Sequence, residues 1–222
     1  MELILISSPG DKPNEVRSVK RIFEMGLSRF HLRKPDWSLD NLRKYLNEFP
    51  DEYLRRIVVH RRRELLKDFP LAGYHLSSRE DYSEKDFEGS LSRSFHTLEE
   101  LKESEEQLDY VFLGPIFDSI SKQGYKAAFP PTKLRGYFVE RRKARLKRPR
   151  IVALGGIVPD KVRVALSLGF DGVAALGGVW GSRYPQKSFM RYLTSVPSRS
   201  GEDNQSWIDR MFSMRRSGGK SP

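Results

Sequence analysis

The sequence predicts an α/β fold, a closed (β/α)8 barrel of the TIM type, on three observations. Eight short runs of β character recur along the chain, and segments with helical spacing separate most of them. The crossovers are long enough for parallel pairing. The first run leads into "SSPGD" with only Gly10, so it lacks the glycine fingerprint that a doubly wound open sheet, the alternative architecture, usually shows there.

The eight runs are "ELILI", "RFHLR", "RIVVH", "AGYHL", "LSRSF", "DYVFL", "RIVAL" and "DGVAAL". After the first, "NEVRSVKRIFEMG" carries Val16, Val19, Ile22, Phe23 and Met25 at helical spacing and stops at Gly26. After the second, "SLDNLRKYLNEF" begins at the capping residue Ser38 and places Leu39, Leu42, Leu46 and Phe49 on one side. The third and fourth crossovers carry the weakest helical pattern. Thr97 caps "TLEELKESEEQ", and "PTKLRGYFVERRKARL", "PDKVRVALSLG" and "PQKSFMRYL" complete the set, with Pro159 suited to a first helical turn. The predicted barrel spans 1–194. From Ser195 the composition changes and leaves the repeat, so 195–222 is expected to be a flexible C-terminal tail.

At 222 residues the chain suits a single domain. The absence of cysteine excludes disulfides, thiolate metal sites and cysteine nucleophiles. No apolar run approaches the roughly 20 residues that span a bilayer, and "MELILISSPGD" lacks a basic leader, so the sequence reads as cytoplasmic, without membrane contact. The formal charge of +11 invites a nucleic-acid reading. Its clusters, "RRKARLKRPR" and "RRIVVHRRR", come without interleaved aromatics or a recognition helix, which disfavours nucleic acid and favours anionic small molecules. Nothing in the sequence sets an oligomeric state.

In such barrels the active site lies at the C-terminal ends of the strands. All four histidines, His31, His60, His75 and His96, fall at or near those ends. Together they suggest a polar pocket. A lone strand histidine is more often a hydrogen-bonded core residue, and a three-histidine metal site would need aligned ring nitrogens. Gly155 and Gly156 follow the seventh run, and Gly177 and Gly178 follow the eighth. Glycine lets a backbone approach an anion and aim N–H groups at it, and barrels often bind phosphate after strands seven and eight. Two tight turns would also explain them. The stretch "LGPIFDSISKQGY" leaves the sixth run and presents Ser119, Ser121 and Lys122 in alternation.

Through these motifs the chain resembles the thiamin phosphate synthase and thiazole tautomerase superfamily, from the first run to "GGVW". "GPIF" followed by Ser119, Ser121 and Lys122 is similar to the synthase Gly-Pro-Ile-Phe strand end and its Pro-Thr-Pro-Thr-Lys type loop. "RSFHTLEEL", "IVALGGI" and "GFDGVAALGGV" resemble further strand ends of that family. The resemblance implies a synthase that couples hydroxymethylpyrimidine diphosphate to thiazole phosphate and releases diphosphate. It implies Arg33 and Lys122 as diphosphate contacts, and a closing loop that carries Ser119 and Ser121.

The departures from the family pattern bear on Mg2+, the implied cofactor. The family lysine after the second strand is absent at its place, where Pro35 stands, and Lys34 is a shifted substitute at best. Where synthases carry Asn-Asp-Arg, this chain has His60, Arg61 and Arg62. A cation in place of a carboxylate repels Mg2+ and attracts anions. The second metal carboxylate falls near Glu80 or Asp81. The alternatives to synthesis are a thiazole phosphate tautomerase using His96, since imidazoles exchange protons near neutrality, and a non-catalytic barrel that binds a phosphorylated ligand.

Overall fold

The computed structural model describes residues 1–78, 80, 87–104, 108–118, 127–144 and 149–195. Among them, eight parallel strands close into a barrel in sequence order: β1 (Glu2–Ile6), β2 (Arg29–Leu32), β3 (Ile57–His60), β4 (Gly73–Leu76), β5 (Ser90–Phe95), β6 (Tyr110–Leu113), β7 (Arg150–Ala153) and β8 (Gly172–Ala175). The ring closes where β1 pairs with β8, with Ile4 opposite Ala174. Each strand lies within or directly beside its predicted run. The predicted barrel is therefore the observed fold.

The helices among the described residues are α1 (Glu15–Glu24), α2 (Leu39–Asn47), α3 (Asp51–Leu54), α4 (Leu65–Asp68), α5 (Leu98–Glu103), α6 (Pro131–Lys143), α7 (Pro159–Leu168), α8 (Gly177–Trp180) and α9 (Pro185–Ser195). Ser38 caps α2 by accepting from the N–H of Asn41 at 3.2 Å. Thr97 and Glu100 form a reciprocal capping box on α5. The third crossover holds only the single turn α4, and most of the fourth lies outside the described residues. The basic stretch after Arg141 begins as the exposed last turn of α6, where cations oppose the negative end of the helix dipole. No helix among the described residues is long and apolar enough to cross a membrane.

Strand alternation sorts side chains into two cores. Leu3, Leu5, Leu32, Val59, Tyr74, Val111, Ile151 and Val173 point outward into the large apolar layer under the helices. Ile4, Ile6, Tyr110, Phe112, Val152 and Ala174 fill the barrel itself. At the N-terminal end the interior is stoppered by charge. Glu2 joins Arg29 at 3.1 Å and Arg150 at 2.6 Å, Arg29 also donates to Ser90, and both guanidinium groups sit over the fully buried ring of Tyr110.

Candidate active site at the barrel mouth

Above the floor, β2 to β5 turn His31, His60, His75, Ser92 and Ser94 inward, against the ring of Phe112 on β6. Register sets His60 beside His75, His75 beside Ser92, and Ser92 beside Tyr110, so one row crosses four strands. His31 projects from β2 into the same space. Its Nδ1 lies 2.9 Å from His60 Nε2 and its Nε2 lies 2.6 Å from the Tyr110 hydroxyl. His75 places Nδ1 2.8 Å from Ser92 Oγ and Nε2 3.0 Å from Ser94 Oγ, and its ring stacks on His60 at 4.2 Å. Burial pushes all three imidazoles toward the neutral form, His75 down to about 3, aided by neighbouring positive charge that includes Arg33 for His60 and His75. Burial also pushes the Tyr110 phenol up to about 12. Tyr110 thus stays protonated and can donate to His31, which can donate to His60.

Arg33 follows β2 with its side chain exposed, while its backbone is fixed. The buried hydroxyl of Ser7 donates to the Arg33 carbonyl and accepts from the Arg33 N–H, both at 2.9 Å. Lys34 turns the other way. It is buried in an ion pair with Glu15 of α1, donates to the Gly10 carbonyl at 2.6 Å and lies over the Trp37 ring. The second Glu15 oxygen accepts from the Ser8 N–H at 2.8 Å. Lys34 therefore holds the β1 and β2 loops to α1 and does not replace the lysine missing from the mouth.

Arg61, after β3, is exposed and held at φ 62°, a sparsely populated conformation for a residue with a side chain. Glu80 accepts from the outward Tyr74 hydroxyl at 2.9 Å and the Ser77 N–H at 3.1 Å. Its carboxylate thus clasps its own loop. Asp81 lies outside the described residues, as do Ser119, Ser121 and Lys122.

The loops after β6, β7 and β8 interlock at the same end. Ile116 and Phe117 donate to the carbonyls of Leu154 and Gly155 at 2.9 and 3.1 Å, so the β6 loop docks on the β7 loop. Gly155 and Gly156 have φ of 92° and 63°, and a Cβ on Gly156 would stand 2.4 Å from the carbonyl oxygens of Phe117 and Asp118. The Tyr192 hydroxyl of α9 donates to the Ile157 carbonyl at 2.8 Å, directly where a Cβ on Gly178 would fall. Close packing alone therefore requires three of these glycines. The N–H groups of Gly155, Gly156, Gly177 and Gly178 nevertheless meet no acceptor among the described residues. His96, after β5, is exposed at the same end, with Nδ1 3.0 Å from the Gly114 carbonyl. A carbonyl only accepts, so Nδ1 carries a proton and donates it there, and Nε2 is the nitrogen outside that bond.

Ser7, Ser92, Ser94 and Tyr110 were not singled out by sequence reasoning. The alternation of hydroxyls in "LSRSF" was the available signal for the two β5 serines.

A closed barrel with imidazoles lining its interior and arginines and glycine turns at its C-terminal mouth has the layout of the barrel enzymes, whose active sites lie at that end. The model of the family described as thiamine monophosphate synthase matches residues 3–179. A thiamine phosphate pyrophosphorylase from Bacteroides thetaiotaomicron superposes with a TM-score of 0.73 at 31% identity, covering 88% of this chain and 97% of that one. The thiamine-phosphate synthase of Caldicellulosiruptor saccharolyticus is 27% identical over 76% of this chain and 78% of its own length. That of Anoxybacillus flavithermus is 33% identical over 48% of this chain, a match that spans about half the relative, 49% of its length. The chain belongs to the thiamine monophosphate synthase family.

Proposed function

We propose that the chain forms thiamin phosphate from hydroxymethylpyrimidine diphosphate and thiazole phosphate. The carrying observation is the mouth itself, where four N–H groups of the glycine loops after β7 and β8 meet no acceptor among the described residues and Arg33 and Arg61 stand exposed. In this reading the N–H groups hold the thiazole phosphate. The pyrimidine C–O bond breaks with its electron pair passing to diphosphate, and the thiazole nitrogen forms the new C–N bond. Arg33, Arg61 and Lys122 offset the charge that gathers on the leaving group, the main electrostatic demand of the step. Ser119 and Ser121 accompany Lys122 in the loop that covers the diphosphate.

Mg2+ requires oxygen donors in near-octahedral array. The aligned positions supply the imidazole of His60, the guanidinium of Arg61, and Glu80 already engaged by Tyr74 and Ser77. Among the described residues these do not fit the ion, and no step is assigned to it. A second reading, thiazole phosphate tautomerase, is favoured by the Gly114 carbonyl, which engages Nδ1 of the exposed His96 and leaves Nε2 free of that bond.

Thiazole phosphate is expected to stabilise the protein without Mg2+. At 100 times its Kd the gain is about 2.7 kcal/mol, a rise in melting temperature of roughly 5–10 °C for a chain of this size. Gly177→Asp should abolish the rise by setting a carboxylate against the phosphate. A rise that needs Mg2+, or that survives Gly177→Asp, would place the phosphate elsewhere. Single-turnover assays with both substrate sets separate the two reactions. Synthesis should fall about 100-fold in Lys122→Ala and remain in Lys143→Ala, whereas tautomerisation should depend on His96. Turnover of neither set would leave the ligand-binding barrel.

A further inference from the structure

The proposed reaction assigns no step to the imidazoles inside the barrel, although three of them stand together with no carboxylate among them. We propose that His31, His60 and His75 form a site for a divalent transition ion of borderline softness, represented by Zn2+. One ring nitrogen from each lies within 4.8 Å of the others. Tetrahedral Zn–N bonds of about 2.0–2.1 Å set the nitrogens roughly 3.3 Å apart. The His31–His60 contact of 2.9 Å must open by a few tenths of an ångström, and His75 must swing in. Both are ring rotations rather than backbone shifts.

The outer partners that would orient His31 and His75 as ligands are already in place. His31 would turn Nδ1 to the ion while Nε2 stays on the Tyr110 hydroxyl, which can accept as well as donate. Whichever nitrogen His75 turns inward, the other keeps Ser92 or Ser94. His60 is the half-buried member and opens the site toward the mouth. Burial keeps the imidazoles unprotonated, as ligation requires. Three neutral nitrogen donors select Zn2+, Co2+ or Ni2+ over Mg2+. They leave a fourth position, and the positive charge of Arg33 and Arg61, felt at His60, favours an anion there. The site is independent of which phosphate chemistry the mouth performs.

The full chain, stripped of metal by a chelator, is dialysed against Zn2+ and, separately, Co2+. One ion per chain is expected, with the intense visible bands of four-coordinate Co2+, and excess Mg2+ should not displace it. His31→Gln, His60→Gln and His75→Gln should each weaken binding by more than about 100-fold, beyond the 10- to 100-fold that loss of an outer partner costs. Tyr110→Phe should weaken it by about 10-fold, and His96→Gln should leave it unchanged. The Co2+ spectrum of the unaltered protein tests the site even if a variant misfolds. An absent or six-coordinate spectrum, displacement by Mg2+, or binding that survives in the folded histidine variants would overturn the proposal. Because metal content is read directly, this result stands apart from the assays of synthesis and tautomerisation.

Discussion

Lys34→Ala is expected to destabilise the barrel by about 3–5 kcal/mol, the usual cost of stripping one partner from a buried ion pair. Lys34 and Glu15 are 5% and 4% exposed, so water cannot take over the role of the lost ammonium. Burial already raises the Glu15 carboxyl above its ordinary range, with Lys34 the leading opposing influence. Without Lys34 it would fold protonated or stay charged at a penalty. Thermal melting should register a drop on the order of 10 °C. Lys34→Met combined with Glu15→Gln should recover most of the loss, because it removes both charges at once. A drop of under about 1 kcal/mol in the single variant, well below the expected cost, would mean that the pair contributes little.

Gly156→Ala should cost roughly 3 kcal/mol and weaken phosphate-ligand binding in the same protein. A left-handed backbone conformation costs a residue with a Cβ about 1–2 kcal/mol. Here the added carbon also meets two backbone carbonyls at 2.4 Å, which cannot rotate away as a side chain could. The β6 or β7 loop must give, and the first of these leads into Ser119 to Lys122. Gly136→Ala is the matched control. It lies in α6 with nothing within 4 Å of an added Cβ and should gain about 0.5–1 kcal/mol from helix propensity alone. Chemical denaturation of both variants, with and without thiazole phosphate, measures the contrast. Equal stability would show that the loop junction tolerates a side chain.

The strands were legible because an apolar run bounded by turn residues looks the same whichever strand it pairs with. Six helices were legible from apolar spacing and caps, whereas α3, α4 and α8, each four residues, are too short to show a period. The histidines were legible as strand-end residues, but their partners were not. His31 and Tyr110 are 79 positions apart and meet only because the sheet closes. The same holds for Lys34, which reads as a mouth cation until the packing of α1 brings Glu15 against it. Gly155 and Gly156 suggested either an anion or a tight turn, and the observed φ values and interlocked loops show that the turn demands glycine in any case. Asp81, Ser119, Ser121 and Lys122 lie outside the described residues.

The charged stopper formed by Glu2, Arg29 and Arg150 over Tyr110 closes the N-terminal end of the barrel, so among the described residues the buried imidazoles face the C-terminal end alone. An ion bound by the imidazoles would have to enter from the C-terminal end, on the His60 side.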